Sequence, residues 1–349
     1  MEKINYSQIY QKLTKGLSPK TKEIFNRRFG IKTGAPETLE VIGKTYGITR
    51  ERVRQIEEVG FSFVKKQNKE ALDKIFGEFA YYFKEKGGFR KEETALEELG
   101  NLPDGRQGKK VKPYVLFLLT LGEQFNRVCE KKDFYYFWST MPDAQTKVKE
   151  NLGVLVSEIQ KIGTPFPKKE LVANMASKPG FTEPILASYL EISKKIQETG
   201  DGKIGLIDWP EIKPRGVRDK AFLAFKKHQK PLHFTEVAKM IDQLDVNLSI
   251  KKTYPQTVHN ELIKDPRFVL VGRGTYALSE WGYEPGTIKD VILKVLQKNS
   301  GPQDKENVVK EVLVQRLVAK NTVLMNLNNK KYFDKNQEGK YFIRKAQTA

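Results

Sequence analysis

The chain has 349 residues, with 62 Lys and Arg against 43 Asp and Glu, which gives a formal charge of +19 at pH 7. This length is long for a single hydrophobic core and predicts two or more domains, while the positive charge favours an anionic partner, nucleic acid before others. The single cysteine, Cys129, excludes a disulfide framework and a cysteine-based zinc site within one chain.

The first predicted elements lie in residues 1–58. Residues 1–16 form a short polar leader that predicts one helix packed against the stretch after it. Further along, TLEVIGKTYGITRERVRQIEE (38–58) predicts two short helices around a tight turn. Thr38 and Thr49 are suitable N-caps, and Gly47 tolerates the left-handed backbone of a sharp turn. Apolar contacts are expected from Leu39, Val41, Ile42, Val53 and Ile56.

The second of these helices carries polar residues on its other face. Arg50, Glu51, Arg54 and Gln55 fall at i, i+4 spacings and project together. A helix-turn-helix presents the N-terminal part of its second helix to the major groove of DNA. There Arg can donate two hydrogen bonds to guanine, Gln can pair with adenine, and Glu can accept from cytosine N4. The pattern therefore predicts a base-reading helix.

Two blocks in this stretch, KEIFNRRFGI (22–31) and the segment 38–58, resemble region four of the sigma-70 family of bacterial transcription initiation factors. The resemblance covers about residues 17–66 and implies a module that reads the promoter −35 element. It implies base contacts by Arg50, Glu51 and Gln55, and phosphate contacts by Thr38, Arg52 and Arg54. No stretch resembles the region that melts the −10 element and grips the polymerase, so a complete sigma factor is not expected. Gly60 predicts that the second helix ends or bends there.

From residue 70 onward one pattern recurs four times: a helix, a loop, two further helices and two short aromatic-rich β segments. This is the order of a winged helix, and prolines in the connecting stretches mark the boundaries between copies. The sequence therefore predicts a mainly α protein with small β-hairpins, in which a helix-turn-helix head precedes tandem winged-helix domains. The predicted domains are residues 1–66 for the head, and 67–140, 145–210, 215–282 and 285–346 for the winged helices.

The third copy resembles the HARE-HTH domain over about residues 217–282. The similarity rests on residues 231–234, on the helix at 258–262 and on the hairpin at 267–281, where Gly-Arg-Gly at 272–274 forms the turn. That winged helix is known from the delta subunit of bacterial RNA polymerase, restriction enzymes and eukaryotic chromatin regulators. The resemblance implies contact with DNA or polymerase and no catalysis of its own.

The winged helices offer further candidate DNA contacts on their third helices and wings. The candidates are Lys194, Lys195 and Lys203 in the second copy, Thr257, His259 and Arg273 in the third, and Lys330 and Lys331 in the fourth. The third helix of the first copy, PYVLFLLTLGEQF, is so apolar that protein packing is expected instead. Tandem winged helices also serve as protein-interaction modules, so contact with polymerase or with one another stays open for some copies.

No motif indicates catalysis, a metal site or a cofactor. The sequence lacks HExxH, CxxC and Walker-type GxxxxGK[ST] patterns, and its three histidines have no carboxylate or cysteine at ligand spacing. His233 is expected to be structural, and Cys129 is expected to be a buried residue in a strand. The absence of a signal-peptide pattern and of a long apolar run predicts a cytoplasmic, nucleoid-associated protein without a membrane partner.

The predicted function is sequence-specific DNA binding in transcription initiation or its regulation. The expected partners are double-stranded, promoter-like DNA and RNA polymerase, with no small-molecule ligand. Two alternatives stay open. The chain could be an accessory subunit of RNA polymerase that acts by protein contact, or the DNA-recognition component of a restriction or defence system.

Overall fold

The computed structural model describes residues 5–100, 111–176, 178, 180–244, 252–299 and 301–344. The structure is 58% helical, and its described residues form sixteen α-helices with small antiparallel sheets of two or three strands. The mainly α fold class expected from the sequence is confirmed. The chain divides into two compact units, Met1–Ile207 and Asp208–Ala349, while the finer division into five domains stays a prediction. No described helix is long and apolar enough to cross a membrane.

Unit 1 begins with a head of four helices. They are α1 (Tyr6–Leu13), α2 (Pro19–Phe29), α3 (Leu39–Tyr46) and α4 (Arg50–Gln67). α2 begins where the Ser18 hydroxyl accepts a hydrogen bond from the amide of Thr21 at 3.1 Å. It ends at Gly30, whose left-handed backbone (φ 69°) reverses the chain. The leader helix α1 packs on α2, because the Tyr10 hydroxyl donates to the side-chain oxygen of Asn26 at 2.9 Å.

α4 runs without interruption through Gly60, so the helix end or bend expected there is wrong. A Cβ at this position would lie 2.7 Å from Cζ of Phe25 and 2.8 Å from Cγ2 of Thr21. Glycine is needed because α2 passes too close to α4 for any side chain. The helix tolerates a propensity cost of about 1 kcal/mol, since tertiary packing supplies most of its stability.

Residues 69–139 form the first winged helix. Its elements are α5 (Lys69–Glu85), β1 (Phe89–Lys91), α6 (Glu92–Gly100), α7 (Lys112–Leu121), β2 (Asn126–Val128) and β3 (Phe137–Ser139). The strands form one antiparallel sheet in the order β1-β3-β2, with Phe89 opposite Ser139 and Val128 opposite Phe137. The sequence pattern missed β1, because three residues are too few for an alternation of polar and apolar side chains to be recognised.

α7 packs between its own module and the head. The ring of Phe117 on α7 lies 5.1 Å from that of Tyr10, 5.5 Å from Phe25 and 5.3 Å from Phe29. All four side chains are buried, and they belong to one hydrophobic core that extends from α1 to Trp138. α7 therefore makes the protein packing that its apolar sequence favours.

The second winged helix repeats this order. Its elements are α8 (Ala144–Ile162), β4 (Phe166–Pro167), α9 (Lys168–Met175), α10 (Glu183–Ile192), β5 (Ile196–Glu198) and β6 (Lys203–Leu206), and the sheet order is β4-β6-β5. α10 packs on the first winged helix, where the rings of Phe89 and Tyr189 lie 4.7 Å apart and Ser188 donates to the carbonyl of Lys86 at 3.0 Å. The third helix of the second module thus joins it to the first.

Unit 2 contains two more winged helices. The third consists of α11 (Gly216–His228), β7 (Leu232–His233), α12 (Phe234–Leu244), α13 (Pro255–Lys264), β8 (Phe268–Gly272) and β9 (Thr275–Leu278), with sheet order β7-β9-β8. The fourth consists of α14 (Ile288–Lys298), α15 (Lys305–Gln315), α16 (Lys320–Leu327), β10 (Phe333–Lys335) and β11 (Tyr341–Ile343). In the fourth, a bridge between Gln303 and Tyr341 takes the place of the first strand.

One arginine fixes the third winged helix to the fourth. Arg316 is buried, and its guanidinium donates to the carbonyls of Glu284 and Gly286 at 2.6 and 2.9 Å. Burial lowers the pKa of Arg316, and the nearby carboxylate of Glu284 opposes that shift. Beside it, the amide of Leu317 donates to the carbonyl of Val271 at 2.6 Å. The α15–α16 connection therefore pairs with the free edge of β8.

Candidate nucleic-acid interface

α3 and α4 form a helix-turn-helix whose ends are fixed by the residues that the sequence indicated. The Thr38 hydroxyl accepts a hydrogen bond from the amide of Val41 at 3.3 Å. The Thr49 hydroxyl accepts from the amide of Arg52 at 3.1 Å. These are N-caps, which satisfy amides that have no partner inside the helix. Between the two helices, Gly47 ends α3 in the left-handed region at φ 64°.

The turn also depends on a glycine inside α3 that the sequence reading overlooked. A Cβ on Gly43 would lie 2.7 Å from the carbonyl oxygen of Ile48, so only glycine lets α4 begin this close to α3. Beneath the turn lies a small core of fully buried side chains, Ile24, Ile42 and Val53. Val41 was expected to add apolar contacts, but this expectation is wrong. Its side chain is 48% exposed because it lies on the outer face of α3.

The first turns of α4 carry the polar residues expected to read DNA, and all of them are exposed. The Arg54 guanidinium donates to both carboxylate oxygens of Glu51 at 2.8–3.1 Å and to Glu58 at 3.2 Å. The hydrogen bonds from Arg54 hold the pKa of Glu51 below its usual value, and the same pairing raises the pKa of Arg54. Arg52 donates to the side-chain oxygen of Gln55 at 3.1 Å.

Arg50 differs from these neighbours, because it makes no hydrogen bond or ion pair with another residue in the described part of the chain. Its five N–H donors are therefore available to a ligand. Thr38 also keeps a donor: its oxygen accepts from the amide of Val41, which leaves the hydroxyl hydrogen for a phosphate oxygen. Each of the six residues implied by the resemblance is exposed.

A contact missed by the sequence reading ties α2 to α4. Nε of Arg28 lies 3.5 Å from Oε1 of Glu57, and Arg28 also donates to the carbonyl of Glu37 at 3.0 Å. Burial raises the pKa of Glu57, and the guanidinium of Arg28 opposes that shift. The available signal was spacing: Glu57 follows the buried Val53 by four positions and so falls on the inner face of α4. This pair holds the second helix of the helix-turn-helix against α2.

α7 and α10, the third helices of the first two winged helices, are covered by protein. Thr120 is the one exposed residue of α7, and in α10 only Glu183 and Pro184 are exposed, all within the described residues. A recognition helix must lie in the major groove with its side chains on the base edges. Neither α7 nor α10 has a face open for that contact.

Lys194 and Lys195, expected on the third helix of the second module, lie beyond its end instead. Lys194 pairs with the carboxylate of Glu130, and Nζ of Lys195 lies 2.7 Å from Asp133. Both acidic residues belong to the β2–β3 connection of the first winged helix. The two lysines therefore join neighbouring modules of unit 1, which helix periodicity could not show because each partner is more than 60 residues away.

The remaining candidates in the third winged helix differ in exposure. Thr257 is exposed in the first turn of α13, and Arg273 is exposed in the turn between β8 and β9. His259 is half-buried: its Nδ1 lies 3.1 Å from the hydroxyl of Tyr276, and its ring lies 4.7 Å from that of Phe234. His259 therefore packs inside the module, whereas Thr257 and Arg273 face solvent.

Three candidate lysines lie outside helices. Lys203 begins β6 and lies 3.1 Å from the carboxylate of Asp201 in the wing turn. Lys330 and Lys331 follow the end of α16, and both are exposed.

No metal chemistry is visible in the part of the chain that the structure describes, where no group of three or more His, Cys, Asp or Glu is placed to hold an ion. His233 contacts the hydroxyl of Thr235 through Nδ1 at 2.7 Å. Cys129 is exposed, immediately after β2 ends at Val128. The expectation of a buried strand residue at Cys129 is therefore wrong.

Comparison with known families assigns two segments of the chain. Residues 15–66 match Sigma-70, region 4, and residues 216–281 match HARE-HTH, a restriction endonuclease HTH domain. Both resemblances expected from the sequence are confirmed. Both families are DNA-binding helix-turn-helix domains, which supports a DNA-binding regulatory role for this protein. Comparison with curated proteins gives no match.

Proposed function

We propose that the protein reads a −35-like promoter element through α4 and acts in transcription initiation or its regulation. The observation that carries this proposal is the exposed polar start of α4, which two threonine caps and a glycine turn hold in place. The match to Sigma-70, region 4 covers these same residues. A helix-turn-helix of this kind places the N-terminal part of its second helix in the major groove.

Base choice would come from Arg50, Glu51 and Gln55. Arg50 can donate to O6 and N7 of a guanine without giving up an existing partner. Glu51 can accept from cytosine N4 when Arg54 leaves it, and Gln55 can pair with adenine when Arg52 leaves it. In both cases a contact within the protein is exchanged for a base contact. The exchange is easy because ion pairs exposed to water are weak.

Affinity would come from the phosphate contacts of Thr38, Arg52 and Arg54. Each arginine released from its partner on α4 can turn to the DNA backbone, where a phosphate replaces the carboxylate or amide oxygen. Neutralising phosphates releases counterions, so the affinity should fall steeply with salt. We propose no catalysis by this chain. RNA polymerase is the partner that a promoter reader without its own −10 region would need.

A second candidate is an accessory subunit of RNA polymerase, and an exposed apolar strip favours it. Val59 is 71% exposed and Phe63 is 36% exposed, four positions apart on the C-terminal half of α4. Such a strip suits a protein partner better than a phosphate backbone. The match at 216–281 also leaves room for a DNA-recognition component of a restriction system, which would require a nuclease partner.

The test is a genome-wide footprint of the tagged protein with motif discovery on the bound fragments. The promoter-reading proposal expects a −35-like hexamer at a fixed distance from transcription starts. A signal that follows polymerase across promoters and transcribed genes without a motif would contradict it and support the accessory subunit. Bound motifs away from transcription starts would support the restriction or defence component.

A further inference from the structure

The third helix of the fourth winged helix has an open face, in contrast to α7 and α10. Val323 and Leu327 are buried and hold α16 against α14 and α15. We define the α16 surface as the exposed residues of α16 and of the turn after it. They are Lys320, Asn321, Thr322, Met325, Asn328, Asn329, Lys330 and Lys331. No family matches this module, so its ligand has to be inferred from this surface.

The chemistry of the α16 surface suits an anion with a large polar face. No Asp or Glu occurs between residues 312 and 333, although acidic residues are frequent elsewhere in the chain. Lys320, Lys330 and Lys331 make no ion pair with a carboxylate in the described part of the chain. The lysines of the second module, by comparison, are neutralised by Glu130 and Asp133.

The helix itself carries side chains that can read base edges. Asn321 and Met325 are four positions apart and so share one face of α16. An asparagine amide can pair with N6 and N7 of adenine, and an apolar side chain can contact the methyl group of thymine. Met325 is 76% exposed, although burying its apolar side chain would be favourable. A groove of double-stranded DNA supplies contacts for both side chains.

The turn that carries the two lysines is fixed by hydrogen bonds. The side chain of Asn329 accepts from the amide of Lys331 at 3.1 Å, and Arg344 donates to the carbonyl of Lys330 at 2.9 Å. Nζ of Lys289 lies 4.7 Å from the centre of the Tyr332 ring, which supports the same turn from α14. A fixed backbone lowers the entropy lost when the lysines bind phosphate.

We propose that the fourth winged helix is a second site for double-stranded DNA, with α16 in the major groove and Lys330 and Lys331 on the phosphates. This site deepens the proposed function, because it adds affinity to a chain whose α4 selects the sequence. It does not depend on which element α4 reads. Two linked DNA modules raise overall affinity when both can bind at once.

The test uses the full chain and a random-sequence duplex of about three helical turns, with the binding constant measured as a function of salt by fluorescence anisotropy. The variant is Lys330→Ala/Lys331→Ala. We expect the slope of log K against log salt to become shallower by about 1.8, since each phosphate contact contributes about 0.9. The matched control is Lys294→Ala/Lys298→Ala, which removes two positive charges from the exposed face of α14. We expect the control to keep the wild-type slope.

Melting curves of all variants establish that each chain is folded. Equal slopes for the wild type, the lysine variant and the control would overturn the proposal. So would a lysine variant that binds DNA like the wild type but no longer binds core RNA polymerase, because the α16 surface would then be a protein site. Failure of base reading by α4 is a separate result, since it appears in sequence preference and leaves the change in slope intact.

Discussion

Arg54 is the cation on α4 with the most partners, since it donates to Glu51 and to Glu58. Neither contact involves burial, because all three residues are exposed. A phosphate of DNA can therefore compete for the guanidinium. This pairing also explains how an acidic residue is tolerated on a helix that should approach a polyanion: Glu51 enters the groove with its charge offset by Arg54.

We predict that Arg54→Ala weakens binding to every DNA sequence and makes the salt slope shallower by about 0.9, the share of one phosphate. The loss is independent of sequence because backbone contacts carry no sequence information. Lys32→Ala is a charge-matched control, since Lys32 pairs with Glu23 at 2.7 Å in the same head. An Arg54→Ala slope equal to that of the wild type would contradict a phosphate role.

Two buried tyrosines predict a loss of stability at alkaline pH. Burial raises the pKa of Tyr6 and of Tyr10 above the usual 10.0, and charges or ionisable groups nearby add to the shift. The folded chain keeps both hydroxyls protonated, while the unfolded chain ionises them near pH 10.0. The contribution to stability is therefore complete below that pH and is lost as the pH rises above it.

The measurement is the melting temperature of unit 1 between about pH 8 and 11, the range around an ordinary tyrosine pKa. Tyr6→Phe/Tyr10→Phe should melt lower at the start of this range, because it loses the hydrogen bonds to Leu99 and Asn26. It should then decline less steeply with pH than the wild type. Tyr81→Phe, at an exposed position, should decline like the wild type. A double variant as steep as the wild type would show that these tyrosines are not the cause.

At the scale of elements, α4 shows that close packing and not helix propensity decides where a helix continues. Gly60→Ala should lower the free energy of unfolding of unit 1 by about 1 kcal/mol or more. Overpacking costs about 1–3 kcal/mol and exceeds the propensity gain of about 1 kcal/mol. The matched control is Gly77→Ala in α5, where a Cβ would meet nothing within 4 Å. We expect that change to stabilise the protein by about 0.5–1 kcal/mol.

Urea unfolding, followed by helical circular dichroism, compares the two glycine variants. Opposite shifts of the midpoint are expected. A stabilised Gly60→Ala protein would mean that α2 and α4 do not approach as closely as the 2.7 Å contact with Phe25 requires.

The elements that the sequence predicted correctly depend on local interactions. The caps at Thr38 and Thr49 and the turn at Gly47 involve residues at most four positions apart, so residue type and spacing are sufficient. The elements that the sequence missed depend on distant partners. Gly60 is explained only by Phe25 on another helix, and β1 is recognised only by its pairing with β3.

The candidate site divides in the same way. The residues of α4 could be named from one helix, and the structure shows each of them exposed. The roles of Lys194 and Lys195 could not, because Glu130 and Asp133 reach them from another module. Whether a third helix is open or covered is also a tertiary property. Nothing in the sequence of α10 distinguishes it from an open recognition helix such as α13.

For the whole molecule, unit 2 depends on the clamp made by Arg316. Arg316→Ala should leave the carbonyls of Glu284 and Gly286 without their partner, at a cost of about 3 kcal/mol, since each unsatisfied buried group costs about 1–3 kcal/mol. We expect faster proteolysis of the connection between the third and fourth winged helices, at residues 283–286. Arg218→Ala is the control, because Arg218 forms an exposed ion pair with Glu261 at 3.2 Å. Equal cleavage rates in the two variants would contradict the clamp.

Arrangement within unit 1 limits how the whole protein can bind DNA. Phe117 of α7 completes the core of the head, and α10 lies on the first winged helix. Of the third helices in the described chain, those of unit 2 have open faces and those of unit 1 do not. In unit 1 the helix left to read DNA is α4. The proposed sequence preference of the protein therefore rests on the first turns of α4.

The most direct test of this claim is selection of bound sequences from a pool of random duplexes by the full chain. The wild type is compared with Glu51→Ala/Gln55→Ala, and Glu40→Ala on α3 serves as a surface carboxylate control. We expect the wild type and the control to enrich one −35-like motif, and the double variant to lose or change it while its affinity for non-specific DNA stays nearly the same. The same motif from the double variant, or no motif from the wild type, would contradict base reading by α4.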